Sequence, residues 1–494
     1  MTDRRSSAAP VLRGALHLLV AAASLMVGAC VIDPATGERS LGQLLTREDE
    51  LTVGREEHPR VLRQFGGEYR DLMLAGYVDQ VGQSLAKLSD SPEIAFSFTV
   101  LNSPVVNAFA LPGGFVYVTR GLLALAGNEA ELASVLAHEI GHITARHAAQ
   151  RHQRAARGPS SAAAKTNGGA VGELAPGQDP AAYVQGYSRE QEMEADTLGI
   201  RYLARAGYDP AAMSTFLARL DAQARLDASL MGLPADQADQ MSFTATHPRT
   251  ADRVQAAALR AGELGAPRRP LEPESYLRRI DGILYGDDPE QGFVRGTAFL
   301  HPRLLFRFEV PAGFRLFNSA QRVIARNPQE ALILFDSARR PSGLSIADYL
   351  TGVWSRDLTL AGMEQIVING FAAATGWTRV ETNRGPRDLR LVAIQFDETT
   401  IYRFTFITPP PLTDSLSLDL RRATYSFGAL TREEAALLRP LRLQLVRVRE
   451  GDTAAGLAAR LPLPDGREET LRTLNGFGKQ DELKPDRLIK TIVE

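Results

Sequence analysis

The sequence predicts an α+β protein in three parts: a mainly helical unit with a small antiparallel sheet, a second α+β unit on an antiparallel sheet, and a short β-α-α-β module. Three observations carry that prediction. Apolar residues in the first half recur at helical spacing around one alternating stretch, Ile94, Phe96, Phe98 and Val100. Past residue 296 the texture changes, with alternation at Phe306, Phe308 and Val310 and apolar runs at 332–335, 391–396 and 401–407. From about residue 445 the pattern reads strand, helix, helix, strand, with Gly451-Asp452-Thr453 opening the first helix and Asn475-Gly476 closing the second. At 494 residues the chain is too long for one core.

Within the first unit, helical signals run from about 46 to 88 through Val61, Leu62, Phe65, Leu74, Val78, Val81 and Leu85. Strands follow at 94–101, 105–110 and 115–118, the last two separated by the turn Leu111-Pro112-Gly113-Gly114. A helix over 120–126 leads to Asn128, which caps the next helix while Glu131 answers three residues on, as in a capping box. Leu132, Val135, Leu136 and Ile140 give that helix its apolar face, and the pattern carries it to about His152. His138-Glu139-Ile140-Gly141-His142 lies on it. At 3.6 residues per turn the two histidines stand about 40° apart on one face, one turn apart. Two imidazoles so placed can share one tetrahedral metal ion, with Glu139 beside them to take a proton from water. Histidine is scarce, 8 residues in all, which makes a chance match improbable.

Residues 153–182 turn abruptly to Ala, Gly, Pro, Ser and Gln and read as a mobile loop. Helices resume at about Ser188 and again over 210–226, followed by Thr246-His247-Pro248 and a short helix containing Arg253. Residues 266–295 read as a linker. In the second unit helical patterns sit at 346–354 and 361–374, and 397–400 joins a hairpin.

Composition narrows the chemistry. Lys+Arg 56 against Asp+Glu 58 provides no bulk field for nucleic acid. Cys30 is the sole cysteine, so the metal must be held by His and carboxylate. Arg4, Arg5 and Arg13 precede an apolar run over 14–28 that is short for a membrane span. That run ends in Val27-Gly28-Ala29-Cys30, which resembles a bacterial lipobox and makes Cys30 the expected lipidation site. Val31 stands where an Asp would favour inner-membrane retention. The expectation is an exported, periplasmic lipoprotein held at the outer membrane.

A catalytic zinc ion takes three protein ligands plus water, so two histidines are one short. The positions three and six after His142 are Ala145 and Ala148, and His147 is expected to turn away from the ligand face as a helix-end residue. The acidic run 187–196 supplies Glu192 and Asp196, four apart on one helical face, so that one can ligate and the other orient an imidazole. The same run also fits a solvated helix face.

His138-Glu-Ile-Gly-His142 followed by Ser188-Arg-x-x-Glu192-x-x-Ala195-Asp196 resembles the gluzincin peptidases related to CAAX prenyl proteases. It is similar above all to their periplasmic beta-barrel assembly-enhancing branch. Asn107-Ala-Phe-Ala-Leu-Pro-Gly-Gly-Phe-Val-Tyr-Val118 and Thr246-His247-Pro248 with Arg253 match that branch, and the likeness covers about 45–260. It implies one Zn2+ per chain held by His138, His142 and Glu192, with Glu139 as general base and Asp196 as the partner of a ligand. The strand around Asn107, Ala108, Phe109 and Ala110 is expected to be an exposed edge beside the metal, where extended substrate adds. His247 and Arg253 are expected to stabilise the oxyanion, or His247 to plug the metal when no substrate is bound. The tail resembles a LysM module, although it reads Pro485-Asp486-Arg487 where that family has Pro-Gly-Gln.

The expected organisation is a leader (1–30), a zinc metallopeptidase domain (31–265), a linker (266–295), an α+β domain of open role (296–440) and a LysM-like module (441–494). The expected function is a lipid-anchored zinc endopeptidase of the cell envelope acting on unfolded or misassembled envelope proteins. Peptidoglycan is a further partner through the tail. Two other readings stand beside it: a non-hydrolytic, zinc-stabilised chaperone-like factor, and a hydrolase of peptidoglycan peptides.

Overall fold

The structure is a computed structural model that describes residues 30–32, 39–41, 45–151, 186–230, 232, 247, 251–264, 272–382 and 384–494. The expected mobile loop 153–182, the end of the helix at His152, and Thr246 and Pro248 lie outside the described residues. A two-stranded ribbon, β1 (Cys30–Ile32) and β2 (Arg39–Leu41), comes first. Helices α1 (Arg47–Gln64) and α2 (Leu72–Ala86) follow, each with a side-chain cap, Thr46 on α1 and Asp71 on α2.

Strands β3 (Ser97–Leu101), β4 (Ala108–Leu111) and β5 (Phe115–Thr119) form a sheet in the order β3-β5-β4. The expected small antiparallel sheet is instead mixed, because β3 pairs with β5 in parallel and only β4 runs antiparallel to it. β3 and β5 run in the same direction because the chain reverses once into β4 and again at the turn into β5.

Helices α3 (Arg120–Leu125) and α4 (Glu129–Thr144) then lead into α5 (Arg189–Arg205), α6 (Ala212–Leu230), α7 (Ala251–Gly262) and α8 (Pro273–Ile280). Among the described residues no helix is long and apolar enough to cross a membrane.

A second unit is built on a seven-stranded antiparallel sheet. Strands β6 (Phe293–Arg295), β7 (Ala298–His301) and β8 (Phe306–Glu309) flank it, and β9 (Arg315–Asn318), β10 (Val323–Arg326) and β11 (Leu332–Arg339) open it. Helix α9 (Ile346–Tyr349) runs into a π turn, Leu350–Trp354. Then come β12 (Ala361–Ile368), β13 (Phe371–Thr382), β14 (Gly385–Gln395) and β15 (Thr400–Thr408). The helix expected over 361–374 is therefore wrong. Asn369 (φ 48°) and Gly370 (φ 92°) make a tight turn between β12 and β13. An Asn-Gly pair adopts those positive angles readily, and this local signal outweighs an alanine-rich, weakly periodic flank. Helices α10 (Pro410–Ser426) and α11 (Arg432–Leu437), with β16 (Gly428–Ala429) between them, complete the unit over a core centred on Phe306, Phe308, Phe335 and Phe404.

The last segment runs β17 (Arg442–Arg447), α12 (Ala454–Ala458), α13 (Arg467–Asn475) and β18 (Leu488–Val493), its two strands paired antiparallel. Its apolar residues Leu443, Leu457, Leu471, Leu474 and Ile489 join the same core as Leu132, Leu136, Ile140 and Phe216. Tyr276, Leu277 and Ile280, from the stretch expected to be a linker, belong to that core as well. Lys490 pins the two parts together: its buried ammonium donates to the carbonyl oxygens of Ala124, Leu125 and Ala126 at 2.7, 3.0 and 2.9 Å, at the end of α3. Lys490→Met leaves those acceptors unmet and is expected to lower stability by about 1–3 kcal/mol. Urea unfolding of the full chain checks it; equal midpoints for variant and wild type mean that the ammonium contributes nothing net.

Candidate metal centre

Helix α4 is capped by Asn128, whose side chain accepts from the Glu131 amide at 2.9 Å. The reciprocal half of the expected capping box is shifted by one residue: Glu131 reaches the amide of Gly127, at 2.7 Å. Every residue of α4 from Ala130 to Thr144 is buried. α5 crosses it closely enough that a Cβ at Gly141 would come within 2.9 Å of the Ala195 carbonyl, and one at Gly199 within 3.1 Å of the His138 amide. The two glycines thus permit the approach that carries Glu192 and Asp196 up to the histidines.

The outcome is a fully buried cluster of His138, His142, Glu192 and His247, one donor atom from each lying within 4.8 Å of all the others. His138 Nε2 is 3.0 Å from His142 Nε2 and 3.3 Å from His247 Nδ1. Glu192 Oε1 stands 2.9 Å from His247 Nδ1 and 3.5 Å from His142 Nε2. For bonds of about 2.0–2.1 Å, the edge of a zinc tetrahedron is about 3.4 Å, so these separations fit one ion. A set of imidazoles with one carboxylate also matches zinc chemically.

Asp196 lies behind the cluster, its Oδ1 2.9 Å from His138 Nδ1. Arg253 does not face open space beside the metal position, as an oxyanion donor would. Its guanidinium grips Asp196 through Nε and a terminal nitrogen at 2.7 and 2.9 Å, and reaches Glu192 Oε2 at 2.7 Å. Its position on α7, packed against α5 and α6, turns it toward those carboxylates. Arg253 holds the acids in place.

Glu139 is fully buried, and neither of its carboxylate oxygens has a hydrogen-bond partner among the described residues. His247 Nε2, at 3.5 Å, is too far for one. Burial pushes the Glu139 carboxyl above the ordinary range, against the opposing pull of His247 and His138. For Glu192 burial acts in the same direction, but the imidazoles around it, His247 foremost, outweigh it and hold the carboxyl well below its usual value.

The expected substrate strand needs correcting. β4 is an edge, bonded to β5 alone, but it is not exposed: Asn107, Ala108, Phe109 and Ala110 are all buried. α4 packs along it and α1 crosses its end, where Arg146 pairs with Glu50 at 3.1 Å and donates to the Leu45 carbonyl. The small crevice that remains is lined by Glu50, Ala110, Leu111, His142, Arg146 and Tyr187.

His147 was also misplaced by sequence reasoning. α4 ends at Thr144, and Arg146 takes a left-handed conformation (φ 56°) before residues 147–151 become helical again. The break returns the His147 ring to His142, 2.8 Å away. A left-handed arginine inside an apolar helical pattern leaves no trace in hydrophobic periodicity. Cys30 stands in β1.

Residues 73–261 match Peptidase family M48. Among curated proteins, the Beta-barrel assembly-enhancing protease of Escherichia coli K12 is 33% identical over 251 residues, covering 48% of this chain and 48% of the relative. The protein of the same name from Yersinia pestis is 31% identical over 263 residues, covering 50% and 51%. The Mitochondrial metalloendopeptidase OMA1 of Schizosaccharomyces pombe is 31% identical over 196 residues, covering 38% and 55%. The chain thus spans about half the length of the curated relatives it matches.

Proposed function

From the match of residues 73–261 to Peptidase family M48, we propose that this part of the chain is a zinc-dependent endopeptidase domain. One observation carries the reading: a buried donor set spaced for one ion stands next to a buried carboxylate, Glu139, with no partner. A site with a purely structural role has no use for that carboxylate. His138, His142 and Glu192 would hold the ion. Zinc, when bound, polarises the scissile carbonyl and makes the attacking water acidic. Glu139 takes the proton of that water on a carboxylate oxygen and hands it to the leaving amine nitrogen. Asp196 orients His138 from behind, and Arg253 holds both Asp196 and Glu192 in place and keeps Asp196 ionised.

His247 is the fourth donor of the cluster, and we assign it a restraining role, in which its imidazole fills a position at the ion that substrate would otherwise take; its membership of the same buried donor set supports this. His247→Ala is expected to raise basal cleavage or self-cleavage, read as loss of intact chain on incubation. A slower variant makes the imidazole a transition-state donor instead.

For the whole protein we propose a role in the bacterial cell envelope: a periplasmic chain anchored through a lipid on Cys30 at the outer membrane, cutting unfolded or misassembled envelope proteins. The names of the relatives and the lipobox-like Val27-Gly28-Ala29-Cys30 support this. The tail is read as a LysM-like unit acting as a cap on the peptidase domain, a reading supported by its shared core and by Lys490. The test is cleavage of an unfolded protein and of muropeptides by the purified chain, with and without chelator. Chelator-sensitive cutting of the protein alone is expected. Cutting of muropeptides alone would replace the reading with a cell-wall enzyme, and no cutting at all with a chaperone-like factor.

A further inference from the structure

We propose that His147, backed by Glu194, is the positioning residue that fixes the orientation and tautomer of His142. The inference rests on the zinc-site reading above. His142 turns Nε2 into the cluster, and its Nδ1 lies 2.8 Å from Nδ1 of His147. Of two ring nitrogens at that distance, one donates and the other accepts. His142 must leave Nε2 bare to hold a metal, so its proton sits on Nδ1 and it is the donor. His147 therefore accepts at Nδ1 and carries its own proton on Nε2, which lies 3.2 Å from Glu194 Oε2. The carboxylate ends the chain as the final acceptor, and this proton arrangement satisfies every contact.

His138 has a related arrangement in shorter form, its Nδ1 lying 2.9 Å from Asp196 as an ion-pair contact rather than an aligned hydrogen bond. Both α4 imidazoles of the cluster thus back onto a carboxylate of α5, one directly and one through an interposed ring. The interposed ring is fully buried. Tyr187 stacks on His142 with ring centroids 3.9 Å apart and planes 18° apart, closing another side of the same imidazole. The left-handed Arg146 is what makes the geometry possible, because a continuous helix would carry position 147 about 140° past the ligand face. Histidine ligands ordinarily donate their second N–H to such a partner, and loss of that partner commonly weakens metal binding about 10–100-fold.

The test is zinc affinity of the full chain, measured by competition with a chromogenic chelator, for wild type, His147→Leu, His147→Asn and Glu194→Leu. Thermal unfolding of each metal-free protein checks that it folds. Asn places an acceptor where Nδ1 stands, whereas Leu fills similar space with none. Expected is a loss of about 10–100-fold for His147→Leu, recovery of most of it in His147→Asn, and a smaller loss for Glu194→Leu. Wild-type affinity in His147→Leu overturns the proposal. Equal losses in Leu and Asn also overturn it, since they would show a packing role. If the His147 variants do not fold, Glu194→Leu decides, its side chain being 33% exposed, and unchanged affinity there overturns the relay. A wild-type chain that binds no zinc would refute the metal site itself, an outcome distinct from all of these.

Discussion

Glu139→Gln is expected to keep one zinc per chain and to lose cleavage by about 10²–10⁴-fold or more. The substitution preserves shape in a position that is fully buried, so packing around it is undisturbed. It touches none of the four donor atoms of the cluster, which come from His138, His142, Glu192 and His247. What it removes is the carboxylate that accepts the proton of water. Among the described residues no hydrogen bond ties up that carboxylate, and burial holds its affinity for a proton above that of an ordinary glutamate. Zinc content by atomic spectroscopy and turnover of an unfolded protein substrate check both halves. Wild-type turnover in the variant would remove Glu139 from the mechanism. Loss of zinc would show that it is part of the ligand shell.

Glu192→Ala is expected to lose stoichiometric zinc and activity together. Glu192 is the sole carboxylate in the donor cluster, and its oxygens lie 3.5 Å from both His138 Nε2 and His142 Nε2. The change also strips Arg253 of one of its two buried acids, and breaking a buried pair costs about 3–5 kcal/mol. Glu192→Gln is therefore the companion variant, since it fills the space and keeps an oxygen. It is expected to weaken zinc binding while leaving more of the fold intact. If Glu192→Ala folds and binds zinc as the wild type does, the third ligand lies elsewhere, and the assignment of α5 to the site is wrong.

Much of this site was legible in order along the chain. His138, Glu139 and His142 stand out from one helical repeat; Glu192 and Asp196 share a face of another, and it took the family resemblance to set them apart from a solvated acidic face. The alternation at 94–100 and the hairpin at 397–400 reappear as β3 and as the β14–β15 pair. The failures share a cause. Residues 361–374 were read as a helix from their apolar pattern, while the decisive feature was two residues, Asn369 and Gly370. The expected exposure of Asn107 to Ala110 failed because an edge is defined by strand pairing, whereas exposure depends on what packs over it, here α1 and α4.

The sequence by itself determined the donor types, their spacing within each helix, and the presence of a glutamate beside them, because these depend on periods of a few residues. Only the tertiary structure decided which acid meets which histidine. Gly141 and Gly199 set the distance between α4 and α5, and that distance decides that Asp196 backs His138 while Glu192 faces the cluster. Arg253 turned out to serve the acids, and His147 to serve His142, because both contacts join residues whose relative placement no local repeat encodes. One backbone angle at Arg146 and one helix crossing fixed them.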